Sequence, residues 1–231
     1  MCNTSCITFG VKNLSIEEIK DKRIVEVGAY DVNGSLRPII ESWGNPAKYI
    51  GVDIEKGPGV DVVCSAETIL DAFGIESFDI VISTELLEHV RDWKKVISNI
   101  KNICKTNGII IITTRSKGFK YHGHPYDFWR YELDDLKKIF SDCEIITLEN
   151  DTAAPGVFLK AKKPVEFVEK DLTTYKLFNV VVDKKVTELK DIDLRIFIFL
   201  RKILSRKKKR LHRFLFKTIR FFSRKNRNAL A

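Results

Sequence analysis

Side chains able to move a proton gather in two stretches of this chain. Glu85, Glu88 and His89 follow one apolar run, and Tyr121, His122, His124, Asp127 and Arg130 follow another. An imidazole titrates at about 6.5 in water, so His89 suits abstraction of a proton at neutral pH. Glu85 and His124 are further candidates for acid–base work. His89 could instead cap a helix or hold Asp92. Seven of the eleven residues from Tyr121 to Tyr131 are aromatic or histidine. Rings with polar edges suit sugars or other flat, polar ligands. That makes Tyr121, His122, Tyr126, Asp127 and Arg130 candidate substrate contacts, while Phe128 and Trp129 suit anchoring the loop in the body. His122 and His124 could share a metal, but no third ligand has matching spacing, and no metal is expected.

Elements on either side must bring these stretches together. Short, β-branched runs at Ile24–Val27, Tyr49–Val52, Val60–Cys64, Phe78–Ser83 and Gly108–Thr113 read as strands. Helices are expected over Leu36–Trp43, Ala66–Phe73, Trp93–Lys105 and Leu133–Phe140. The strands are apolar on both sides, as strands covered on both faces are. Strand–helix alternation points to an α/β fold with a doubly wound, mostly parallel sheet. Glu144–Leu148 and Val157–Ala161 read as an antiparallel hairpin at its edge. Residues 1–22 read as a polar lead-in and a short helix capped by Ser15, with Glu17 and Glu18 in its first turn. The body is expected over 23–164. Residues 165–193 form an ambiguous extension in which Phe178–Val182 is strand-like.

In such sheets ligands bind outside the carboxyl ends of the strands. The first strand runs into Gly28, and the second delivers Asp53, an acceptor suited to a ribose diol. A nucleoside-containing cofactor is therefore expected. The dinucleotide pattern G-x-G-x-x-G is missing, since Ala29, Tyr30, Asp31, Val32, Asn33 and Gly34 follow Gly28. Glu26, just before the turn, repels a pyrophosphate and favours a cationic ligand carrying an ammonium or sulfonium. The alternative for Glu26 is a solvated charge at a strand end.

Glu26-Val-Gly28, Asp53, Phe78-Asp79-Ile-Val and the Gly108-Ile-Ile-Ile-Ile strand together resemble class I S-adenosylmethionine-dependent methyltransferases. The stretches Gly57-Pro-Gly-Val-Asp61, Ser83-Thr-Glu-Leu-Leu-Glu-His-Val90 and Gly118-Phe-Lys-Tyr-His-Gly-His-Pro-Tyr-Asp-Phe-Trp-Arg-Tyr131 are similar to a subgroup often encoded with glycan-building enzymes. The resemblance spans roughly residues 22–164. It implies a seven-stranded Rossmann-like sheet and S-adenosyl-L-methionine as cofactor. Gly28 would let the main chain pass the methionine part, with Glu26 near its ammonium and Asp53 on the ribose hydroxyls. Ile54 would pack on the adenine. Ser65 and Ala66 fall beside it, where relatives place an acidic and a small residue, so Ser65 is a departure. Ser83 to Glu85 would line the transfer cleft. The acceptor implied is a hydroxyl of a sugar, glycan precursor or similar polar metabolite. RNA or protein methylation, or a non-catalytic scaffold on a degenerate fold, are the alternatives.

The chain has 231 residues, 44% hydrophobic and 31% charged, and its net charge of +9 is unevenly placed. Residues 194–231 hold 14 of the 40 Lys and Arg and none of the 31 Asp and Glu, leaving 26 basic against 31 acidic side chains elsewhere. Non-specific nucleic-acid binding by the body is not expected. In this tail, Leu194, Phe197, Leu200 and Leu204 mark one helical stripe, and Leu211, Leu215, Ile219 and Phe222 another. A cationic helix with Phe and Leu on its other face reads as lying in an anionic membrane interface. Nucleic acid, or docking on the body or on a second copy, are competing readings. The first thirty residues show no signal-peptide pattern, and the five cysteines form no C-x-x-C pair. Cys2 and Cys6 could ligate a metal but read better as isolated thiols. A cytoplasmic setting is expected, at the inner face of the cell membrane where the tail engages it.

Overall fold

A computed structural model describes residues 4–123 and 125–204. The chain divides into two compact units, residues 1–188 and 189–231. In the first, β1 (Arg23–Val27), β2 (Lys48–Asp53), β3 (Val62–Val63), β4 (Phe78–Thr84) and β5 (Cys104–Arg115) run parallel. After them, β6 (Trp129–Arg130) begins a small second sheet, and β7 (Glu144–Asn150) and β8 (Gly156–Lys162) complete the large one. The order is β3-β2-β1-β4-β5-β8-β7, with β8 antiparallel to both its neighbours. The mostly parallel doubly wound sheet and its edge hairpin are thus present as expected.

Pleating decides what each strand residue touches, because neighbours point to opposite faces. Ile24, Tyr49, Ile80, Ile82, Ile111 and Phe158 share one buried cluster with Cys6, Phe9, Leu14, Ile19, Leu36 and Ile40. These last six belong to, or flank, α1 (Thr4–Asn13), α2 (Ile16–Ile19) and α3 (Arg37–Gly44). Val25, Val81, Ile110 and Ile112, on the alternate face, are fully buried as well. After α4 (Ile69–Phe73), α5 (Trp93–Ile103) packs against β4 and β5 through a helical stripe of Trp93, Val96, Ile97, Ile100 and Ile103. Last of the described helices in this unit is α6 (Leu133–Ile139).

Several boundaries differ from expectation. The polar lead-in is a ten-residue helix, α1, whose few apolar positions, Cys6 and Phe9 among them, still form a buried stripe. Ser15 does cap α2, in a reciprocal box with Glu18. The third strand shrinks to two residues and α4 starts at Ile69, because Ser65 accepts from Glu67 and Thr68 in a turn instead. β5 starts at Cys104, four residues early, with a register shift between Phe78 and Ile80 of its partner. Within the ambiguous extension, β9 (Leu177–Asn179) and β10 (Lys184–Val186) form a hairpin, and β9 pairs with β6. Residues 165–188 therefore fold with the body. In the second unit, residues 191–204 are helical; Leu194 and Phe197 are half-buried, Leu200 and Leu204 exposed. Residues 205–231, with the second apolar stripe, lie outside the described residues.

Candidate active site

The carboxyl edge of the sheet gathers the sequence-picked residues into two neighbouring groups. At the first, the turn after β1 is clamped onto β2. The Gly28 and Ala29 amides both donate to the Val52 carbonyl, at 2.8 and 3.0 Å. Gly28 has φ +86°, a conformation that disfavours any side chain, and a Cβ there would lie 3.0 Å from Leu86 Cβ. One amide further on, Tyr30 donates to Asp53 Oδ2 at 3.1 Å, while Glu55 donates to Oδ1 at 3.2 Å. Each Asp53 oxygen keeps a second lone pair, so the carboxylate can still accept from a diol. The Tyr30 ring lies against Gly57, where a Cβ would collide with it.

Glu26 is not a solvated strand end. It is 3% exposed and accepts from the Tyr49 hydroxyl at 2.7 Å and the Ser35 hydroxyl at 3.3 Å. Burial pushes its carboxyl up to about 7, against the pull of Tyr49, Ser35 and Arg37. A cation brought to this carboxylate would relieve that penalty. Around it, Ile54, directly after β2, is 60% exposed. Ser65 uses its hydroxyl on the Glu67 amide, and the Ala66 carbonyl accepts from Asn99 at 2.8 Å. Ser83 is buried, and its hydroxyl has no hydrogen-bond partner among the described residues.

At the second group, the turn after β4 meets the loop after β5. The Glu88 carbonyl accepts from the Phe128 and Trp129 amides, at 2.7 and 3.2 Å. Trp129 Nε1 donates to the Val90 carbonyl at 2.9 Å, and the Tyr131 hydroxyl to the Leu87 carbonyl at 3.2 Å. Phe128 and Trp129 are the anchors expected of them, both buried. These bonds bring His122 beside His89, ring centroids 4.7 Å apart. Glu88 is fully buried below them and accepts from the Thr114 hydroxyl at 2.8 Å. Burial alone would raise the Glu88 carboxyl, but His122, His89 and Thr114 outweigh it and hold it at about 2. His122 loses some basicity to burial and regains more from Asp127 and Glu88, reaching about 9.

Three expected site residues sit differently. Asp127 and Arg130 are buried and paired, with Arg130 Nη2 2.7 Å from Asp127 Oδ2 and also donating to the Phe119 carbonyl, while Asp127 accepts from the His122 amide as well. They shape the loop from within, with their side chains away from solvent. Glu85, in the left-handed region at φ +55°, turns inward to pair with Arg115 Nε. Burial, Glu88 and Cys6 push its carboxyl up while Arg115 pulls it back. Tyr121 and His122 are half-buried, and Tyr126 is 37% exposed at the rim. His124 lies outside the described residues.

Sequence reasoning missed Arg115, which also reaches Asp151 at 3.1 Å and stacks on Phe119 at 4.3 Å. A lone arginine directly after the Thr113-Thr114 end of an apolar strand is the signal that could have found it.

Residues 10–145 match the model of a family described as a methyltransferase domain. A ubiquinone biosynthesis O-methyltransferase of Parvibaculum lavamentivorans is 31% identical over 117 residues, 49% of this chain and 46% of that protein. The chain thus spans about half the length of the curated relative it matches. In fold, it resembles the 1,6-didemethyltoxoflavin-N1-methyltransferase of Burkholderia thailandensis, solved with S-adenosylhomocysteine bound. The TM-score is 0.56 at 12% identity, covering 69% of this chain and 78% of that one. An S-adenosylmethionine-dependent methyltransferase of Mesorhizobium loti gives 0.54 at 15% identity over 70% and 99% of the two chains. The glycine turn bound to the end of β2, the single reversed strand and the family match over more than half its length agree: this chain belongs to the methyltransferase-domain family and has the fold of the S-adenosylmethionine-dependent methyltransferases.

Proposed function

We propose that this protein is an S-adenosylmethionine-dependent methyltransferase acting on a hydroxyl of a polar acceptor such as a sugar or glycan precursor. The observation that carries the cofactor reading is the Gly28 turn fastened to Asp53, beside a buried carboxylate suited to a cation. When bound, S-adenosylmethionine supplies a methyl group on a sulfonium, open to in-line attack by an acceptor oxygen. Gly28 would leave room for the methionine part, Asp53 would accept from the diol, Glu26 would face the ammonium directly or through water, and Ile54 would offer its side chain to the adenine.

An oxygen acceptor must lose a proton as the new bond forms, and in this reading His89 would take it. Its Nδ1 lies 2.6 Å from the Tyr126 carbonyl, which can only accept, so Nδ1 carries the proton and Nε2 offers its lone pair. Glu88 Oε1, 3.9 Å from Nε2, stabilises the imidazolium that results. The aromatic loop from Tyr121 to Tyr131 supplies the rim, with Tyr121 and Tyr126 as candidate acceptor contacts. A hydroxyl acceptor also agrees with the O-methyltransferase name of the Parvibaculum relative.

Calorimetric titration with S-adenosylhomocysteine tests the cofactor site, and failure to bind would leave only a scaffold. Labelled-methyl transfer into a cell extract, fractionated into lipid, polysaccharide, nucleic acid and protein, tests the acceptor. Label confined to nucleic acid or protein would replace the sugar reading.

The basic tail is proposed to hold the enzyme on an anionic membrane surface. Its described part exposes Ile196, Phe199, Leu200 and Leu204 beside Arg195, Arg201 and Lys202. No helix among the described residues is long and apolar enough to cross a membrane. Six cations engaged near such a surface contribute roughly 6 kcal/mol before ordering costs. Flotation with phosphatidylserine vesicles, with and without residues 194–231, tests it, and equal partitioning of both forms removes it.

A further inference from the structure

Spacing along the chain pairs His122 with His124, yet the fold pairs His122 with His89 and Glu88 from a different loop. We infer that Glu88 Oε1, His89 Nε2 and His122 Nε2 form a binding site for a divalent transition-metal ion such as Zn2+ or Co2+. This goes beyond the methyl-transfer reading and does not rest on it, because binding is read without cofactor or acceptor.

Four observations carry the site. First, the three ligand atoms converge: Glu88 Oε1 lies 3.9 Å from His89 Nε2 and 3.6 Å from His122 Nε2, all within 4.8 Å of one another. Zinc bonds of about 2.0–2.2 Å in a tetrahedron place ligand atoms roughly 3.3 Å apart. The two edges to Glu88 exceed that by about 0.3 and 0.6 Å, and the edge between the imidazoles lies within 4.8 Å, so side-chain rotation must draw the histidines together for an ion to bind.

Second, Glu88 Oε1 is a fully buried oxygen without a hydrogen-bond partner among the described residues, aimed between the two imidazoles. Only the two imidazoles, at 3.6 and 3.9 Å, face it, and an ion between the three would match it more closely than they do. Its companion Oε2 is already fixed by the Thr114 hydroxyl, so the carboxylate presents Oε1 in a set direction.

Third, each histidine has Nδ1 close to an acceptor and Nε2 on the side of Glu88, although the His122 Nδ1 contact has an ion-pair distance without hydrogen-bond geometry. His89 Nδ1 lies 2.6 Å from the Tyr126 carbonyl, and His122 Nδ1 lies 2.9 Å from Asp127 Oδ2. Metal-ligating histidines are commonly oriented in this way, by a carbonyl or carboxylate on the far nitrogen. Asp127 is itself held by Arg130, so the orienting group is rigid. Fourth, His89 and His122 are only partly covered, with side chains 15% and 21% exposed. Solvent or an acceptor oxygen can therefore supply a fourth ligand, and two imidazoles with one carboxylate favour zinc-like ions over magnesium or calcium. Metal ligation and proton acceptance compete for the same lone pair of His89.

The test uses the untagged full chain, stripped with a chelator and titrated with Co2+, followed by absorption and by metal analysis after dialysis. One ion per chain is expected, with visible d–d bands and no thiolate-to-cobalt band. Single His89→Ala and His122→Ala changes should abolish the bands. Glu88→Gln keeps the shape and the Thr114 contact, and should weaken binding at least tenfold; Asp127→Asn should weaken it roughly 10- to 100-fold. Absence of stoichiometric binding by the unaltered chain overturns the site, whatever the variants do. So does binding that survives both histidine changes in folded protein; a protonated His122 bridging Glu88 and Asp127 then accounts for the cluster.

Discussion

The Tyr49 hydroxyl donates to Glu26 Oε2 at 2.7 Å, joining β2 to β1 beneath the glycine turn. Tyr49 and Ser35 are the hydrogen-bond partners of Glu26 among the described residues, in a place where burial raises its carboxyl from 4.5 to about 7. In the unfolded chain the same carboxyl ionises near 4.5, so between these values folding takes up a proton. Stability therefore falls as pH rises from about 4.5 to about 7 and levels off above. Glu26→Gln should remove that slope, gaining roughly 3 kcal/mol over the unaltered protein at about pH 8 relative to about pH 4. Thermal melts of both proteins across this range check it; parallel curves would refute the burial argument.

The same ionisation bears on the proposed cofactor. S-adenosylhomocysteine keeps an ammonium, so its affinity should rise with pH through about 7 as Glu26 becomes charged. Calorimetry at several pH values should show the rise in the unaltered chain and a flat profile in Glu26→Gln.

Asp53→Ala removes the diol acceptor and also frees the Tyr30 amide it holds. Affinity for S-adenosylhomocysteine should drop at least tenfold, about 1.4 kcal/mol or more. An unchanged dissociation constant would move the ribose away from β2.

Gly28→Ala places a Cβ 3.0 Å from Leu86 at φ +86°. The backbone conformation alone costs on the order of 1–3 kcal/mol. Denaturant unfolding should show a loss of that size, and cofactor binding should weaken with it as the turn shifts.

Arg115→Met strips the cation from Glu85 and Asp151, leaving two buried acids without their partner. Breaking such a pair from one side costs about 3–5 kcal/mol. The double change to Arg115→Met with Glu85→Leu should recover much of the loss, as a double-mutant cycle on melting midpoints would record.

The sheet was legible because both its faces are buried, so each strand announces itself as an apolar, β-branched run. α1 was not, since a helix lying on one edge of a core shows only a narrow stripe, and Thr4, Ser5 and Thr8 disguise it. The β6–β9–β10 sheet was hidden for another reason: two- and three-residue strands carry too little pattern, and their pairing joins residues about fifty apart. At the site, residues defined by backbone constraint or strand ends, Gly28 and Asp53, could be picked from local sequence. Partnerships across loops could not. Nothing in the spacing of Glu85, Asp127 or Arg130 says that each spends its charge inside the protein, and nothing links Glu88 to His122 before the chain folds.

Cys6, on α1, lies 3.5 Å from Glu85 Oε1, so the first helix borders the ion pair under the β4 turn. The family match begins at residue 10, part-way along that helix. A version of the protein trimmed to the matched span would discard Cys6 and Phe9 and open a gap beside Glu85 and Phe158. Water entering there would reach the Arg115 pairing from below, and a chain shortened to the matched span should melt early.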